Sequence, residues 1–365
     1  MKETPLTQVH RAHKAKLVDF AGWLMPIQYS GVLDEYHAVR QGAGLFDVSH
    51  MGRILVSGAP AETFLQWVCT NDVAGLAVGQ AQYSMVCQEM GGILDDIFIY
   101  KVGHEEYLVC VNASNRMKIL EWFQNHKDGK YPETIIRDQS DELAQIAIQG
   151  PSSQALLKRV IGPSIEMLKP RQCLTLEKNE FSGMLSRTGY TGEIGYEWYL
   201  PAGEAQRAWE QLLNAGEGDQ VKPAGLGARD LLRLDVGYLL YGNDMDEQTT
   251  PLEAGADWVV AWRKGLFNGQ SALQQQKEQG VPRKLIGFEM LERGVPRHEM
   301  EILKDGKTVG KVTSGNFSPV LQKGIGLGYL PPTLIDEGTL LHINIRGKHV
   351  AATVVKPPFY KRQKS

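Results

Sequence analysis

Two adjacent carboxylates lie inside an otherwise apolar segment. Residues 91–100 begin with two glycines, carry Asp95 and Asp96, and continue with β-branched and aromatic residues, which predicts a turn followed by a strand. Alternation along the strand places Asp96 on one face with Phe98 and Tyr100, and Asp95 on the other. Both faces are apolar, so a carboxylate here needs hydrogen-bond donors or a cationic guest. The two carboxylates either accept hydrogen bonds from the amides of the turn or bind a cationic ligand.

A third carboxylate stands between aromatic residues. Glu197 follows Tyr196 and precedes Trp198 and Tyr199, after a glycine-rich turn. Alternation predicts that Glu197 shares a strand face with Tyr199. It is either an exposed strand residue or a carboxylate in an aromatic slot. In such a slot it could accept two hydrogen bonds from adjacent N–H groups of a flat ring.

Two arginines are spaced by one helical turn. A helix is predicted from about Leu226, and Arg229 and Arg233 on it share a face. The two guanidinium groups either bind a carboxylate ligand or pair with Asp and Glu side chains of the chain itself.

A histidine lies near an aspartate in an apolar segment. Residues 44–52 are predicted to form a strand that holds Asp47 and His50. This pair could be a catalytic dyad, but no Ser or Cys nucleophile motif accompanies it, which favours a hydrogen-bonded strand histidine. The sequence also lacks a P-loop, a nucleophile elbow, an HExxH motif and a Rossmann fingerprint.

Length and composition indicate a multidomain globular protein. The 365 residues are 42% hydrophobic, enough to bury a full core in two or three domains. The net charge of −3 indicates no nucleic-acid partner. Residues 281–365 carry 14 Lys and Arg against 7 Asp and Glu, a net of +7. This basic part either attracts an acidic partner or reflects ordinary surface variation.

The cysteines and the N-terminus indicate a cytoplasmic protein. None of the four cysteines forms a C-x-x-C pair, so the spacing suggests neither a zinc site nor a redox motif. No apolar h-region follows Met1, and no apolar run reaches the ~18 residues of a membrane span. We therefore expect reduced thiols and no membrane association.

The hydrophobic pattern predicts the strands and helices that carry these residues. Strands are predicted at 53–57, 80–87, 107–112 and 143–148, with helices at 34–40, 60–70 and 114–125. Strand 80–87 and the carboxylate-bearing strand should form a hairpin. After 280–284 the pattern changes to short strands and tight turns, which predicts a small all-β barrel or sandwich over 285–355.

Several of these segments together resemble the aminomethyltransferase, or T-protein, family of the glycine cleavage system. They span nearly the whole chain in the family's order. The matching segments are Phe-Ala-Gly-Trp at 20–23, Leu-Phe-Asp-Val-Ser-His-Met at 45–51, Gly-Gly-Ile-Leu-Asp-Asp at 91–96, Gly-Tyr-Thr-Gly-Glu at 189–193, Gly-Leu-Gly-Ala-Arg-Asp at 225–230, Tyr-Gly-Asn-Asp at 241–244, Val-Thr-Ser-Gly at 312–315 and Pro-Pro-Phe at 357–359.

The resemblance implies an α+β fold with three lobes in a cloverleaf. Two intertwined lobes would form a folate-binding region at 1–279, and a β-barrel domain would cover 280–365. The implied reaction moves the one-carbon unit of an aminomethyl group, carried on the lipoyl arm of H protein, to tetrahydrofolate. Its products are 5,10-methylenetetrahydrofolate, ammonia and dihydrolipoyl H protein. Tetrahydrofolate is a co-substrate, and the resemblance implies neither a metal nor a nucleotide.

The resemblance also implies roles for individual residues. Asp96 is similar to the family's key carboxylate beside the folate nitrogens, which we assign as catalytic. Glu197 is similar to the carboxylate that holds the N–H pair of the pterin, and Arg229 to a ligand-binding arginine. The other implied folate-binding residues are Met51, Tyr83, Tyr100, Asn112, Trp258 and Tyr360.

Two positions depart from the family pattern. Ile194 stands where many members have Asp, which leaves Glu197 in place. Leu266 replaces the cysteine of a Lys-Gly-Cys motif found in a related branch linked to iron–sulfur protein maturation, which argues against that branch. The alternatives are a non-enzymatic folate-binding or iron–sulfur assembly protein of the same fold, and a folate-dependent demethylase with another small methyl donor. With no flavin-binding domain, a sarcosine-oxidase-type chain is not indicated.

The basic C-terminal part suggests where the partner docks. H proteins of this family are usually acidic, so the +7 region at 281–365 is expected to supply part of the docking surface. Lys348 and Lys356 are the candidate contacts.

Overall fold

The computed structural model describes residues 1–176, 181–218 and 220–362. Its α-helices are α1 Thr7–Ala12, α2 Val32–Gln41, α3 Ala61–Val68, α4 Arg116–Asp128, α5 Ser153–Val160, α6 Ala205–Ala215, α7 Leu226–Asp235 and α8 Gln270–Gln279. Its strands are β1 Lys16–Phe20, β2 Trp23–Gln28, β3 Ala43–Asp47, β4 Gly52–Ser57, β5 Ala81–Cys87, β6 Ile93–Gly103, β7 Glu106–Val111, β8 Ile135–Asp138, β9 Leu143–Gln149, β10 Cys173–Leu176, β11 Gly183–Ser186, β12 Gly195–Pro201, β13 Val221–Pro223, β14 Lys284–Met290, β15 Glu301–Lys304, β16 Lys307–Ser318, β17 Lys323–Leu330, β18 Leu340–Ile345 and β19 Lys348–Val355.

The described chain forms two compact units. The first contains Met1–Val68, Asp72–Ser84 and Asp96–Asp230, and the second contains Cys69–Asn71, Met85–Asp95 and Leu231–Ser365. The chain passes from one unit to the other within β5, β6 and α7.

The six-stranded sheet of the first unit has the order β10-β11-β12-β9-β3-β13. Strand β12 alternates as predicted. Tyr196, Trp198 and Leu200 enter a core cluster in which Trp209 of α6 is also fully buried. Helices therefore cover this face of the sheet, and Glu197 points to the opposite face together with its strand neighbour Tyr199.

A five-stranded sheet has the order β5-β6-β7-β4-β8. Strands β6 and β7 are antiparallel, with Phe98 opposite Cys110 and Tyr100 opposite Leu108. Side chains of both sheets meet in one apolar cluster, in which Tyr100 and Cys110 of one sheet pack with Met184 and Tyr199 of the other. The predicted hairpin between β5 and β6 is confirmed, since its turn closes with a bond from the Gln88 N–H to the Gly92 oxygen (2.9 Å).

The second unit contains a closed barrel of six strands in the order β14-β17-β16-β15-β18-β19. Phe288, Ile302, Leu341 and Val354 are among the residues that fill its core. The prediction of a small all-β domain over 285–355 is confirmed as a barrel. The mixed α+β character of the preceding region is confirmed as well.

One predicted strand is wrong. The segment 44–52 is not continuous: β3 ends at Asp47, a turn follows, and β4 begins at Gly52. The Asp47 carboxylate accepts a hydrogen bond from the Ser49 N–H (2.9 Å), and the Val48 carbonyl accepts one from the Met51 N–H (3.1 Å). These bonds stabilise a turn where the apolar composition suggested a strand.

Candidate functional site

Asp96 is held by donors from both neighbouring strands. The Tyr83 hydroxyl, on β5, donates to Oδ2 (2.9 Å). The amide Nδ2 of Asn112, directly after β7, donates to Oδ1 (2.7 Å) and also to the backbone oxygen of Asp96 (3.1 Å). Sheet pairing thus brings together three residues that the family resemblance singled out. The half-buried carboxylate has the hydrogen bonds that an ionised group in apolar surroundings requires.

Glu197 lies in an aromatic slot and is not an exposed strand residue. Thr188 Oγ1 donates to Oε2 (2.5 Å), Gln145 Nε2 donates to Oε1 (3.1 Å), and the Tyr100 hydroxyl donates to Oε2 (3.5 Å). The ring of Tyr199 lies edge-on to that of Tyr100, with centroids 5.4 Å apart. The carboxylate is therefore oriented by donors from three other strand or loop positions.

Four rings connect the surroundings of the two carboxylates, and we call Tyr83, Phe98, Tyr100 and Tyr199 the aromatic wall. The centroids of Tyr83 and Phe98 lie 5.9 Å apart, and those of Phe98 and Tyr100 lie 5.7 Å apart in a stacked arrangement. Asp96 and Tyr100 are four residues apart on one strand face, so about 13 Å separates their backbones. Asp96 and Glu197 therefore lie at the two ends of a wall long enough for a flat bicyclic ligand.

Burial keeps the phenols of Tyr100 and Tyr199 protonated. Burial, with a further contribution from the Glu197 charge, raises the pKa of Tyr100 well above its usual value. Burial also raises the pKa of Tyr199. Both hydroxyls can therefore act as hydrogen-bond donors near neutral pH. Met51 packs against the same cluster.

The two arginines of α7 have different environments. The guanidinium of Arg229 lies 4.6 Å from the centroid of the Tyr190 ring. Burial lowers the pKa of Arg229, while Tyr190 and Glu197 act in the opposite direction; the group stays protonated. Arg233 is an internal partner instead, because its Nη1 lies 2.8 Å from Oδ2 of Asp244 in a fully buried ion pair. The ligand-binding alternative thus remains for Arg229 alone.

Asp47 does not pair with His50, so the alternative of a catalytic dyad is wrong. Asp47 pairs with His10, whose Nε2 lies 2.9 Å from Oδ2, and it also accepts from the Thr4 hydroxyl (2.6 Å). Burial would raise the pKa of Asp47, but His10 and the hydroxyl donor lower it to about 2.

His50 is neutral and lies in the turn before β4. Burial, aided by the charges of Arg229 and Arg53, lowers the pKa of His50 to about 3. Its Nδ1 is buried and has no hydrogen-bond partner among the described residues. The favoured interpretation, a hydrogen-bonded histidine within a strand, is therefore wrong too, because His50 lies in a turn and its Nδ1 accepts and donates no hydrogen bond within the described part of the chain.

Trp258 and Tyr360 belong to the second unit. Trp258 lies in a short 3₁₀ turn, Asp257–Val259, and 63% of it is exposed. The backbone N–H of Tyr360 donates to the Asp235 oxygen (2.7 Å). Their role in binding stays a prediction.

The two positions at which the chain departs from the family pattern have different environments. The Ile194 side chain packs against the core of the first unit, and its carbonyl accepts from the Gly150 N–H (2.8 Å). Leu266 is 79% exposed. The hydrogen bonds to Glu197 use neither position.

Sequence reasoning missed Gln145, Thr188 and Tyr190. Gln145 lies in β9 between the buried residues Ala144 and Ile146, so two glutamines, Gln145 and Gln149, on one face of an otherwise apolar strand were the available signal. Thr188 and Tyr190 lie in the glycine-rich segment before Glu197, but no local pattern shows which ligand or side chain they contact.

Two further findings concern the part of the chain that the structure describes. Among residues 1–176, 181–218 and 220–362, no cluster of three or more His, Cys, Asp or Glu side chains could hold a metal ion. Within the same ranges, every helix is too short or too polar to span a membrane.

Comparisons with known proteins give a consistent result. A model of the GCVT N-terminal domain matches residues 6–264, and a model of the glycine cleavage T-protein C-terminal barrel domain matches residues 283–361. An aminomethyltransferase of Desulfitobacterium hafniense is 45% identical over 363 residues, covering 100% of this chain and 99% of the relative. One from Bacillus subtilis is 44% identical over 366 residues, covering 99% and 100%. The crystal structure of glycine cleavage system aminomethyltransferase T from Bartonella henselae matches with a TM-score of 0.93 and 34% identity, covering 99% of each chain.

Proposed function

The chain belongs to the glycine cleavage T-protein family and is an aminomethyltransferase, and we propose which of its residues carry the reaction. The reaction takes the one-carbon unit from the aminomethyl group on the lipoyl arm of H protein to tetrahydrofolate. Two N–C bonds form at folate, and one C–S and one C–N bond break. The two folate N–H protons leave with the products, one on ammonia and one on the lipoyl thiol, so no oxidant or reductant is needed.

The observation that carries the assignment of the site is the placement of Asp96 and Glu197 at the two ends of one aromatic wall. A reduced pterin is flat and carries an N–H beside an amino group, a donor pair that a carboxylate accepts with two parallel hydrogen bonds. Glu197 is already oriented by Gln145 and Thr188. We assign Glu197 to the pterin edge, and Met51 and Tyr100 to contacts with the ring.

Asp96 would then act at the reacting nitrogens. Positive charge develops on the transferred carbon–nitrogen group as its bond to sulfur or nitrogen breaks. A carboxylate fixed by Tyr83 and Asn112 stabilises that charge without reorganising, which is most effective where water is excluded. Asp96 can also order the proton movements between nitrogen and leaving group. We propose that Tyr83 and Asn112 contact the folate and also hold the Asp96 carboxylate in place by hydrogen bonds.

Arg229 is proposed to bind the folate. Its charge acts on Glu197 and Tyr190, so it lies within electrostatic reach of the pterin end of the site. Trp258 and Tyr360 are proposed as further folate-binding residues on the family motif alone. We also propose a folate-binding region at 1–279 and a barrel domain at 280–365. The two family models, which match residues 6–264 and 283–361, support this division.

The proposed partner is a lipoylated H protein. Lys348 and Lys356 are exposed in and directly after β19, in the basic part of the chain. We propose that they contribute to docking of an acidic H protein. The proposed compartment is the cytoplasm, and four buried cysteines without disulfides fit a reducing environment.

The reaction is tested by ammonia release from H protein loaded with the aminomethyl group, with and without tetrahydrofolate. We expect fast release only when folate is present, together with formation of 5,10-methylenetetrahydrofolate. Measurable folate binding without release would contradict the proposal and favour a binding protein. Turnover of a small N-methyl donor without lipoyl protein would instead favour a demethylase.

A further inference from the structure

Gln145 is a buried residue whose amide is fully engaged around Glu197. It is 1% exposed and lies on β9, directly opposite Tyr199 of β12. Its Nε2 donates one hydrogen bond to Glu197 Oε1 (3.1 Å) and one to the Tyr199 hydroxyl (3.1 Å). Its Oε1 accepts from the Cys110 thiol (3.7 Å). Both amide hydrogens are used, and the reverse orientation of the amide would place its oxygen against a carboxylate oxygen.

The hydrogen bonds around Gln145 form a closed ring that ends on Glu197. One path runs directly from the Gln145 amide to the carboxylate. The other runs from Gln145 to the Tyr199 hydroxyl, from Tyr199 to the Tyr100 hydroxyl (3.0 Å), and from Tyr100 to Glu197. Along both paths each group donates to the next, and both paths end on the Glu197 carboxylate, so each bond supports the orientation of the next.

The backbone of Gln145 is fixed from a second direction. Its N–H donates to the Ser49 hydroxyl oxygen (3.0 Å), and its carbonyl accepts from the Val48 N–H (3.0 Å). Both partners belong to the turn that precedes Met51. The residue whose amide orients Glu197 is therefore anchored to the turn before Met51, which packs against the same apolar cluster.

We propose that Gln145 is a positioning residue that sets specificity at Glu197, so that the site selects ring edges carrying two adjacent N–H donors. This inference rests on the proposed role of Glu197. A neutral amide is suited to the task because it donates to the carboxylate and adds no charge of its own. A carboxylate with a fixed donor on one side presents its oxygens to the ligand in a fixed direction.

The test compares tetrahydrofolate with its 2-desamino analogue, which lacks one of the two edge donors. Gln145→Met keeps the length of the side chain and removes the donor. We expect its dissociation constant for tetrahydrofolate to rise about 10- to 100-fold, the range for one hydrogen bond to a charged group. The preference for tetrahydrofolate over the analogue should fall, while kcat at saturating folate changes little. An unchanged preference would overturn the proposal.

Gln145→Glu gives a second readout that does not depend on the first variant being folded. Two carboxyl groups in contact share one proton, and the protonated one can donate to Glu197 as the amide does. Folate binding by this variant should therefore strengthen as the pH is lowered, against a flatter wild-type profile. A pH profile parallel to the wild type would overturn the proposal.

The background variant Glu197→Gln separates this inference from the proposed function. If Glu197→Gln leaves folate binding unchanged, the proposed role of Glu197 fails. If Glu197→Gln weakens binding and Gln145→Met does not, only the role of Gln145 fails. We expect both to weaken binding, with little additional loss in the double variant. Gln149→Met on the same strand, whose amide donates to the backbone oxygens of Thr188 and Tyr196, controls for the loss of a buried amide and should leave the preference for tetrahydrofolate over the analogue unchanged.

Discussion

Asn112 holds Asp96 at two points, the carboxylate Oδ1 at 2.7 Å and the backbone oxygen at 3.1 Å. One amide group thereby ties the side chain of Asp96 to its own strand. The carboxylate direction is set by this contact and by Tyr83, both supplied by strands or strand ends beside β6.

Asn112→Asp should displace the pH–rate profile. Two carboxyl groups at this separation cannot both ionise easily, so the pair retains a proton to higher pH than Asp96 alone. Less of the ionised Asp96 is then present near neutral pH. We expect the single-turnover rate of the variant to reach its plateau at a pH about one unit or more above that of the wild type. Asn112→Ala is the control, since it removes the same donor without adding a carboxyl group. Loss of the donor alone should move the profile less than Asn112→Asp does, and equal profiles for both variants would contradict the assignment.

His50 should contribute to acid destabilisation. Its folded-state pKa of about 3 lies below the ordinary value of 6.5, so the unfolded chain binds a proton first as the pH falls. Stability is therefore unaffected above about pH 7 and is lost as the pH falls from 6.5 toward 3, with a slope of about 1.4 kcal/mol per pH unit within that window. Urea unfolding of wild type and His50→Gln at pH 7 and pH 5 measures this. The variant should lose less stability on acidification, and identical losses would contradict the assignment.

Asp244 should be essential for the stability of the second unit. It is fully buried and receives hydrogen bonds from Arg233, from the Leu240 N–H and from Thr313. Asp244→Ala leaves the guanidinium buried without its counter-ion, which costs about 3–5 kcal/mol in such pairs. Denaturant unfolding measures the loss. The double variant Arg233→Met with Asp244→Leu should recover part of it, because it removes both charges; a double variant as unstable as the single one would contradict the account.

Charge reversal at Lys348 and Lys356 tests the docking surface. Exposed charges of this kind act mainly on the association rate and its salt dependence. We expect Lys348→Glu with Lys356→Glu to slow association with H protein and to flatten its dependence on ionic strength. Lys169→Glu is the control, since Lys169 is an exposed lysine outside residues 281–365. Association and salt dependence equal to wild type would show that the basic barrel surface is not the docking site.

The faces of β6 and β12 could be predicted because alternation along a strand is a local property. It placed Asp96 with Phe98 and Tyr100, and Glu197 with Tyr199, as the structure has them. The family motifs then selected Tyr83 and Asn112, which the structure joins to Asp96 by hydrogen bonds.

The contacts that the sequence could not predict join residues that lie far apart along the chain. The partner of Asp47 is His10, 37 residues away, so the nearby His50 was a misleading candidate. The donors of Glu197 come from β9, β6 and the segment before β12, and only the register of the assembled sheets brings them together. The turn at 48–51 was missed because its stabilising bonds involve a side chain and the backbone, which an apolar composition does not reveal.

We propose that Asp96 accelerates the reaction by stabilising the developing positive charge, and that Glu197 binds the pterin edge of the folate. The most direct test measures the folate dissociation constant and the single-turnover rate for Asp96→Asn and Glu197→Gln, with folding checked by circular dichroism. The account predicts that Asp96→Asn binds folate within a few-fold of wild type and loses about 10²- to 10⁴-fold in rate. Glu197→Gln should weaken binding about 10- to 100-fold and retain most of the rate at saturating folate. Near wild-type turnover by folded Asp96→Asn would contradict the account.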